Sequence, residues 1–214
     1  MRRVTKAELV AMDTQSLRCA AELADARVDV LGYACLVAIM ATGSGYHRAS
    51  EARLAAEVRA SGCDAGVVTS AGALITGLQA IGARRVSIVT PYMRPLTDLV
   101  VDYIRAEGFN VVDSIALEIP DNLEVGRRDP MELLNDLQNL DVTGVDTVVL
   151  SACVQMPSLP ALAPAEVRLG LSVVSAASCT LRAMLLSLGL DPVVPGAGAA
   201  LSMKFARPAP KAVS

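Results

Sequence analysis

Short runs of consecutive apolar residues alternate with longer segments of helical periodicity along the whole 214-residue chain. The apolar runs have the length of buried strands, and the periodic segments have the spacing of amphipathic helices. Six strands are predicted, at residues 28–34, 66–69, 85–89, 110–116, 146–151 and 172–175. Helices are predicted at residues 6–25, 51–60, 72–81, 96–107, 130–140, 165–169 and 180–188.

This alternation favours β-α-β units, in which a mainly parallel sheet is covered by helices. Gly82, Gly108 and Gly189 each follow a predicted helix directly, where a C-cap glycine belongs. The predicted fold class is therefore α/β.

The two halves of the chain repeat one plan. A strand leads to Ala34-Cys35-Leu36 in the first half, and another leads to Ala152-Cys153-Val154 in the second. A further strand ends at Thr69 in the first half and at Ser175 in the second, each before a helix. We predict two pseudo-symmetric Rossmann-like half-domains, made of residues 1–83 plus 187–214 and of residues 84–186.

The composition narrows the classes of partner. Hydrophobic residues make up 53% and aromatic residues 3%, which suits a parallel sheet filled by aliphatic side chains. The net charge of −3, without a basic stripe or stacking aromatics, argues against nucleic acid. The longest apolar run, residues 30–41, is short of the roughly 20 residues of a membrane helix, and we read it as a strand followed by a buried turn. No secretory signal is recognised, so we expect a cytoplasmic protein without membrane partners.

Five cysteines without a C-x-x-C spacing predict reduced thiols rather than a disulfide framework. Cysteines in apolar sequence are mostly small buried hydrophobes, and this is the prediction for Cys19, Cys63 and Cys179. Cys35 and Cys153 differ because each follows a strand, at the sheet edge where ligands bind, and a following helix or turn offers backbone N–H groups. Such donors lower a thiol pKa and predict a nucleophile or an acid/base group.

Other polar motifs predict structure rather than chemistry. His47, the only histidine, follows a glycine-rich lead-in to a helix and is not expected beside Cys35. No metal site is predicted, because the cysteines are unpaired in spacing and one histidine is too few. Gly196-Ala197-Gly198 lacks the strand-to-helix context of a nucleotide loop and predicts a turn. A solvated helix face is predicted for Asp13, Glu22 and Asp25.

Two loops after strands, residues 90–95 and 119–123, fall at the same sheet edge as the two cysteines. Tyr92 offers a hydroxyl group and Asn122 a side-chain amide, and both groups can hold a carboxylate. From spacing alone, a structural role explains these residues as well as carboxylate binding does. Tyr92 would then be a packing residue and Asn122 a helix cap.

With these segments identified, the chain resembles maleate cis-trans isomerase, within the aspartate/glutamate racemase superfamily. The resemblance includes Tyr-Ala-Cys at 33–35 and Cys-Val-Gln-Met-Pro-Ser at 153–158. It covers nearly the whole chain, through residues 33–40, 69–74, 91–96, 117–122, 151–160 and 194–198.

The resemblance implies an isomerase that needs no cofactor and no metal, with maleate as its substrate. It implies a nucleophile at Cys35, a second catalytic thiol at Cys153, and substrate contacts from Tyr92 and Asn122. Backbone N–H groups near Leu36, Val37 and Val154 are implied as further contacts. A homodimer and a place in nicotinate degradation are implied as well.

Members of this family begin with a further stretch that carries a first β-strand and a Pro-Ser-Ser-Asn-type turn, whose Asn also binds substrate. Met1 falls after that stretch, so we expect the first half-domain to lack its first strand. An inactive, truncated chain is therefore one alternative to an enzyme.

The other alternative is an amino-acid or hydantoin racemase of the same superfamily, whose two cysteines would move an α-proton between opposite faces of the substrate. The sequence motifs around the two cysteines, Tyr-Ala-Cys at 33–35 and Cys-Val-Gln-Met-Pro-Ser at 153–158, favour the isomerase over the racemase. A decarboxylase of the arylmalonate type is less favoured, because it uses one catalytic cysteine.

Overall fold

The computed structural model describes residues 6–205, which form an α/β structure. All six predicted strands are present, and three have the predicted bounds. The strands in the described residues are β1 (Val30–Tyr33), β2 (Gly66–Thr69), β3 (Arg85–Thr90), β4 (Asn110–Ala116), β5 (Thr147–Ser151) and β6 (Ser172–Ser175).

Helices separate the strands. In the part of the chain that is described they are α1 (Lys6–Ala24), α2 (Leu36–Met40), α3 (Tyr46–Ala60), α4 (Ser70–Ala80), α5 (Arg94–Ala106), α6 (Asn122–Arg127), α7 (Leu133–Asp136), α8 (Leu159–Leu169) and α9 (Ala176–Ser187). Short 3₁₀ turns lie at Pro130–Glu132, Leu137–Asn139, Ala199–Leu201 and Met203–Phe205. Across residues 6–205, no helix has the length and apolar character needed to cross a bilayer.

The strands form two parallel sheets. One contains β1 and β2, paired from Val30 opposite Gly66 to Tyr33 opposite Thr69. The other has the strand order β4-β3-β5-β6, with every neighbouring pair parallel. All five residues of β5 are buried, as expected for a central strand that helices cover on both faces. Parallel pairing brings the carboxyl ends of β3, β4 and β5 to one edge, where the loops of the site begin.

The repeated plan seen in the sequence is present at two strand-to-helix junctions. The Thr69 hydroxyl accepts a hydrogen bond from the Gly72 N–H (3.1 Å) and caps α4. Ser175 caps α9 through the Ser178 N–H (3.1 Å), within a reciprocal capping box. Gly82, Gly108 and Gly189 follow helices with positive φ angles, which confirms their prediction as C-cap glycines.

Helices α4 and α9 pack at very short range. A Cβ atom added at Gly77 would lie 2.6 Å from the Cys179 sulfur and 3.1 Å from its Cβ. Only glycine permits this approach without a shift of the neighbour.

The main hydrophobic core surrounds the four-stranded sheet and includes α2, α4 and α5. A smaller core lies between α1, α3 and β1, around Leu31, Leu54 and Val58. Both cores are largely aliphatic, in keeping with the low aromatic content.

Several predicted boundaries are wrong. The turn predicted after β1 is the short helix α2, and α6 was not predicted. Helix α3 begins at Tyr46 instead of residue 51, and α8 begins at Leu159 instead of residue 165. The α8 error has a simple cause, because Pro160 occupies the first turn, where proline is tolerated, and Pro164 lies inside the helix. The helix predicted at residues 130–140 is one turn of α-helix between two 3₁₀ turns.

Two burial predictions are also wrong. Cys19 is exposed rather than buried. Asp13 is buried rather than solvated. Its carboxylate accepts a hydrogen bond from the Tyr46 hydroxyl (2.5 Å) and lies 3.4 Å from the Arg53 guanidinium, and these contacts replace water.

Candidate active site

Cys35 lies between the end of β1 and the start of α2. It is the N-cap residue of α2, and all five residues of that helix are buried. The Ala38 N–H forms a hydrogen bond with the thiol and favours the thiolate. Burial has the larger effect, so the pKa of Cys35 is raised above its ordinary value, and a charge on Cys153 would raise it further. The lowered thiol pKa predicted from the sequence is therefore wrong for Cys35.

Cys153 follows β5 by two residues and is buried. Its loop is fixed by the Ser151 hydroxyl, which donates to the Cys153 carbonyl (2.8 Å), and by the Ala152 N–H, which donates to the Val89 carbonyl (2.9 Å). Burial raises the pKa of the Cys153 thiol, against the opposing effect of Tyr92 and of two backbone N–H groups. The lowered pKa predicted here is wrong for the same reason, namely loss of water around the charged form.

Tyr92 lies in the loop between β3 and α5, and its ring is buried. The hydroxyl donates to the Ala152 carbonyl (3.3 Å) and is within hydrogen-bonding reach of the Cys153 thiol. Burial first, and then the nearby Cys153, raise the pKa of Tyr92 well above its ordinary value, so the phenol remains a proton donor in hydrogen bonds. The Thr97 hydroxyl, 3.4 Å from the Tyr92 carbonyl, helps to fix the turn.

Asn122 is the first residue of α6, in the segment that follows β4. That segment extends the pairing of β3 and β4 beyond the strands, through Leu117 N–H to the Thr90 carbonyl (2.9 Å) and Ile119 N–H to the Pro91 carbonyl (3.0 Å). The cap of α6 is Asp121, whose carboxylate accepts from the Leu123 N–H (2.8 Å). The capping role considered for Asn122 therefore belongs to Asp121, and helix capping does not explain the Asn122 side-chain amide.

These loops enclose one cavity of about 150 Å³. It brings together all seven residues that the sequence singled out, and their shared feature is a position just after a strand: Cys35, Leu36, Val37, Tyr92, Asn122, Cys153 and Val154. Tyr92, Asn122 and Cys153 also line a smaller space of about 30 Å³.

Three further residues line the cavity and were not predicted: Met12, Ala34 and Gln155. Ala34 and Gln155 stand in the two cysteine motifs, so their positions beside Cys35 and Cys153 were an available signal. Met12 comes from α1, and no local pattern reveals which face of that helix meets the site.

Among residues 6–205, none that lines the cavity has a charged side chain. The polar groups that they offer are a phenol, two amides, two thiols and backbone N–H groups. A negatively charged ligand would therefore be held by neutral hydrogen-bond donors rather than by ion pairs.

The remaining candidate groups lie elsewhere. His47 is buried, with its Nδ1 atom 2.5 Å from the Tyr103 hydroxyl, which agrees with its predicted structural role. Cys63 and Cys179 are buried as predicted, and burial raises the pKa of Cys179 to about 12. A larger cavity of about 250 Å³ lies between α1 and the two-stranded sheet, and its walls are almost entirely apolar. It has fewer reactive or hydrogen-bonding side chains than the cavity with two thiols, so it is the weaker candidate for an active site.

Fold and cavity together define a class: an α/β enzyme with two cysteine thiols at the carboxyl edge of parallel strands. Residues 4–201 match the protein-family model described as arylmalonate decarboxylase. A maleate isomerase of Geobacillus stearothermophilus is 58% identical over 96% of this chain and 82% of its own length. One from Pseudomonas putida is 60% identical over 94% of this chain and 81% of its own. The chain belongs to the maleate isomerase family.

Solved structures agree with this assignment. The maleate isomerase Iso from Pseudomonas putida S16 has a TM-score of 0.93 and 55% identity, over 95% of this chain and 82% of that one. A cysteine-to-serine variant of the Nocardia farcinica maleate cis-trans isomerase, with a covalently bound succinylcysteine intermediate, has a TM-score of 0.91 and 46% identity, over 94% and 82%. A mutant of arylmalonate decarboxylase, at 20% identity and a TM-score of 0.83, shares the fold.

Proposed function

We propose that this protein converts maleate to fumarate without a cofactor, using Cys35 as nucleophile and Cys153 as acid and base. One observation carries the proposal: two thiols share a small cavity with neutral donors, in a chain 46–60% identical to maleate isomerases. The succinylcysteine intermediate in the Nocardia farcinica enzyme supports covalent addition of a cysteine.

The reaction needs the double bond to be removed for a time, because rotation is blocked while the π bond lasts. The Cys35 thiolate adds to one olefinic carbon, and the electron pair of the π bond moves towards the other carbon and its carboxylate. Cys153 donates its proton to that second carbon, which gives a succinyl-cysteine whose central bond is single. After rotation, the Cys153 thiolate takes back a proton, the double bond forms again, and the carbon–sulfur bond breaks to release fumarate and the Cys35 thiolate.

The raised thiol pKa values suit these separate roles. A charge on Cys153 disfavours a charge on Cys35, so the two sulfurs favour a state with at most one thiolate. A Cys153 that keeps its proton is available as the acid in the addition step. The Ala38 N–H supports the Cys35 thiolate against the cost of burial.

The carboxylates are assigned to neutral donors. The Tyr92 hydroxyl, the Asn122 amide and backbone N–H groups of Leu36, Val37 and Val154 would stabilise charge that develops during addition, as in an oxyanion site. A cavity of about 150 Å³ is small compared with drug-sized sites of roughly 300–1,000 Å³, which favours a four-carbon dicarboxylate. An amino-acid substrate, as in the racemase alternative, would bring an ammonium group, and the cavity walls offer no carboxylate to it in the part of the chain that the structure describes.

The test is direct. Proton NMR of the purified chain with maleate should show loss of the maleate signal and growth of the fumarate signal, without added metal or nucleotide. Cys35→Ser should give no fumarate above background, and Cys19→Ser should match the unchanged chain. Absence of fumarate with the unchanged, folded chain would overturn the proposal.

The proposed setting is a cytoplasmic homodimer that acts in nicotinate degradation. Free thiols as catalytic groups fit a reducing compartment, and the dimer and the pathway rest on the resemblance to the family. Light scattering of the purified chain would test the dimer.

A further inference from the structure

Gln155 connects the two sides of the cavity through its side chain. It lies two residues after Cys153, and its Nε2 atom donates to the backbone carbonyl of Asn122 at 2.6 Å. The two residues are 33 positions apart in sequence, so this bond fixes one loop against another. A Cβ added at Gly126 would lie 3.4 Å from the same Nε2 atom and 3.6 Å from Cγ, so the side chain runs along α6.

The main chain of Gln155 makes a separate contact, with Cys153. Its N–H is one of the donors that stabilise the Cys153 thiolate. Gln155 therefore contacts the proposed acid/base thiol with its main chain and the proposed carboxylate-binding segment with its side chain. Helix α6 has little other packing to hold it, because Val125 is the only buried residue among its six residues.

We infer that Gln155 is a positioning residue, which holds Asn122 at the correct distance from Cys153 through its side-chain amide. The inference rests on the proposed function, since it names a determinant of maleate binding within that site. The side chain and the main chain of Gln155 have separate effects. Removal of the amide should disturb the placement of Asn122 and leave the Cys153 thiol as it is, because the backbone N–H remains.

Gln155→Met tests this, because methionine keeps the length and the packing of the side chain but cannot donate a hydrogen bond. The kcat/KM for maleate should fall roughly fivefold or more, as expected when one lost hydrogen bond displaces Asn122, a group that acts on charge developing during the addition. The dependence of kcat on pH should not move, since both thiols keep their surroundings. Gln155→Glu should lower kcat/KM further, because a carboxylate would face the Asn122 carbonyl and the dianionic substrate.

Gln138→Met is the matched control, because Gln138 is exposed and lies outside the cavity. It should keep the kinetics of the unchanged chain. If Gln155→Met also keeps them while the unchanged chain converts maleate, the positioning role is overturned and the proposed function stands.

A second measurement does not depend on turnover. Backbone amides of α6 should exchange hydrogen faster in Gln155→Met than in Gln138→Met, at an unchanged melting temperature. Equal exchange in the two variants would overturn the inference even if the chain proved inactive on maleate.

Discussion

At the scale of single residues, two opposing effects act on each proposed catalytic thiol. Backbone N–H groups at the strand ends favour the thiolate of Cys35 and Cys153, while burial favours the neutral thiol. Burial is the larger effect in both cases. A buried thiol with a raised pKa is a poor nucleophile at rest, so its reactivity depends on the groups around it and on pH.

The first prediction separates the two site cysteines from the others. Cys153→Ser should lower turnover of maleate by about 10²–10⁴-fold, the usual contribution of a positioned acid or base. Cys35→Ser should reduce it to background, because a serine hydroxyl does not supply the thiolate. Cys19→Ser and Cys63→Ser serve as controls and should keep turnover. Steady-state kinetics of the four variants decide the matter, and a nearly unchanged rate in Cys35→Ser would rule out the nucleophile.

The second prediction concerns pH. The pKa of Cys35 is raised above its ordinary value by burial, and the reaction needs its thiolate, so kcat/KM should increase as the pH rises from neutral into the alkaline range. Cys153 must keep its proton for the addition step, so the rate should fall again once that thiol ionises. A pH profile of kcat/KM measures both limbs. A rate that is already constant at neutral pH would show that the thiolate is stabilised more strongly than its surroundings indicate.

The third prediction concerns substrate contacts. Tyr92→Phe removes a hydroxyl whose hydrogen bond to a charged group is worth about 1.5–3 kcal/mol, so kcat/KM should fall roughly 10- to 100-fold. Asn122→Ala should act in the same direction. Tyr103→Phe is the matched control, because that hydroxyl bonds to His47 away from the cavity. Unchanged kinetics in both site variants would move the carboxylate contacts elsewhere.

At the scale of elements, the contact of α4 with α9 sets a limit on side-chain size. Alanine is the better helix former by about 0.8–1.0 kcal/mol. Against this, overpacking costs about 1–3 kcal/mol, and a Cβ at Gly77 would lie 2.6 Å from the Cys179 sulfur. The clash should exceed the gain in helix propensity, so Gly77→Ala should be less stable.

A second substitution checks the cause. Cys179→Ala removes the sulfur that the new methyl group would meet, so the double variant Gly77→Ala/Cys179→Ala should recover stability relative to Gly77→Ala alone. Urea unfolding curves measure both free energies. A double variant that is less stable than Gly77→Ala would show that the sulfur is not the obstacle.

The positions of strands and helices were predictable where residues that favour turns or caps mark the ends of a segment. Strands β2, β4 and β6 were predicted with the observed bounds, because each contains a Val-Val pair directly after a glycine, an asparagine or a serine. The start of α8 was missed because its prolines predict a break, although one of them occupies the tolerated first turn. Helix α2 was missed because its five residues are all apolar and show no periodicity.

At the scale of the whole molecule, charge should work weakly against the substrate. The net charge is −3, and the described residues that line the cavity offer no cation to a dianion. Added salt screens the repulsion over a Debye length of about 10 Å at 0.1 M, so kcat/KM for maleate should stay constant or rise slightly with ionic strength. Kinetics in two chemically different neutral salts would separate screening from competition by one anion. A steep fall in both salts would indicate a cationic group in the binding step.

Four cavity residues, Cys35, Tyr92, Asn122 and Cys153, were predictable because strand ends of a parallel sheet meet at one edge. The other three came only from the resemblance to the family: Leu36, Val37 and Val154. The sequence did not predict Met12, whose place depends on how α1 packs, or the role of Gln155, which depends on a contact across 33 residues. The exposure of Cys19 and the burial of Asp13 depend on that same packing of α1. The division into residues 1–83 plus 187–214 and residues 84–186 stays a prediction, which limited proteolysis can test.

The pairing that continues past β3 and β4 also bears on how the site moves. Because the N–H groups of Leu117 and Ile119 still donate to carbonyls of the segment that follows β3, the loop before Asn122 is held by backbone hydrogen bonds, as the strands of the sheet are. The wall formed by this loop is thus preorganised, and little conformational entropy is lost when a ligand binds to it. Among the described cavity residues, only Met12 comes from the body of a long helix rather than from a segment that follows a strand. We therefore expect any opening of the cavity to involve a shift of α1 against the anchored loop.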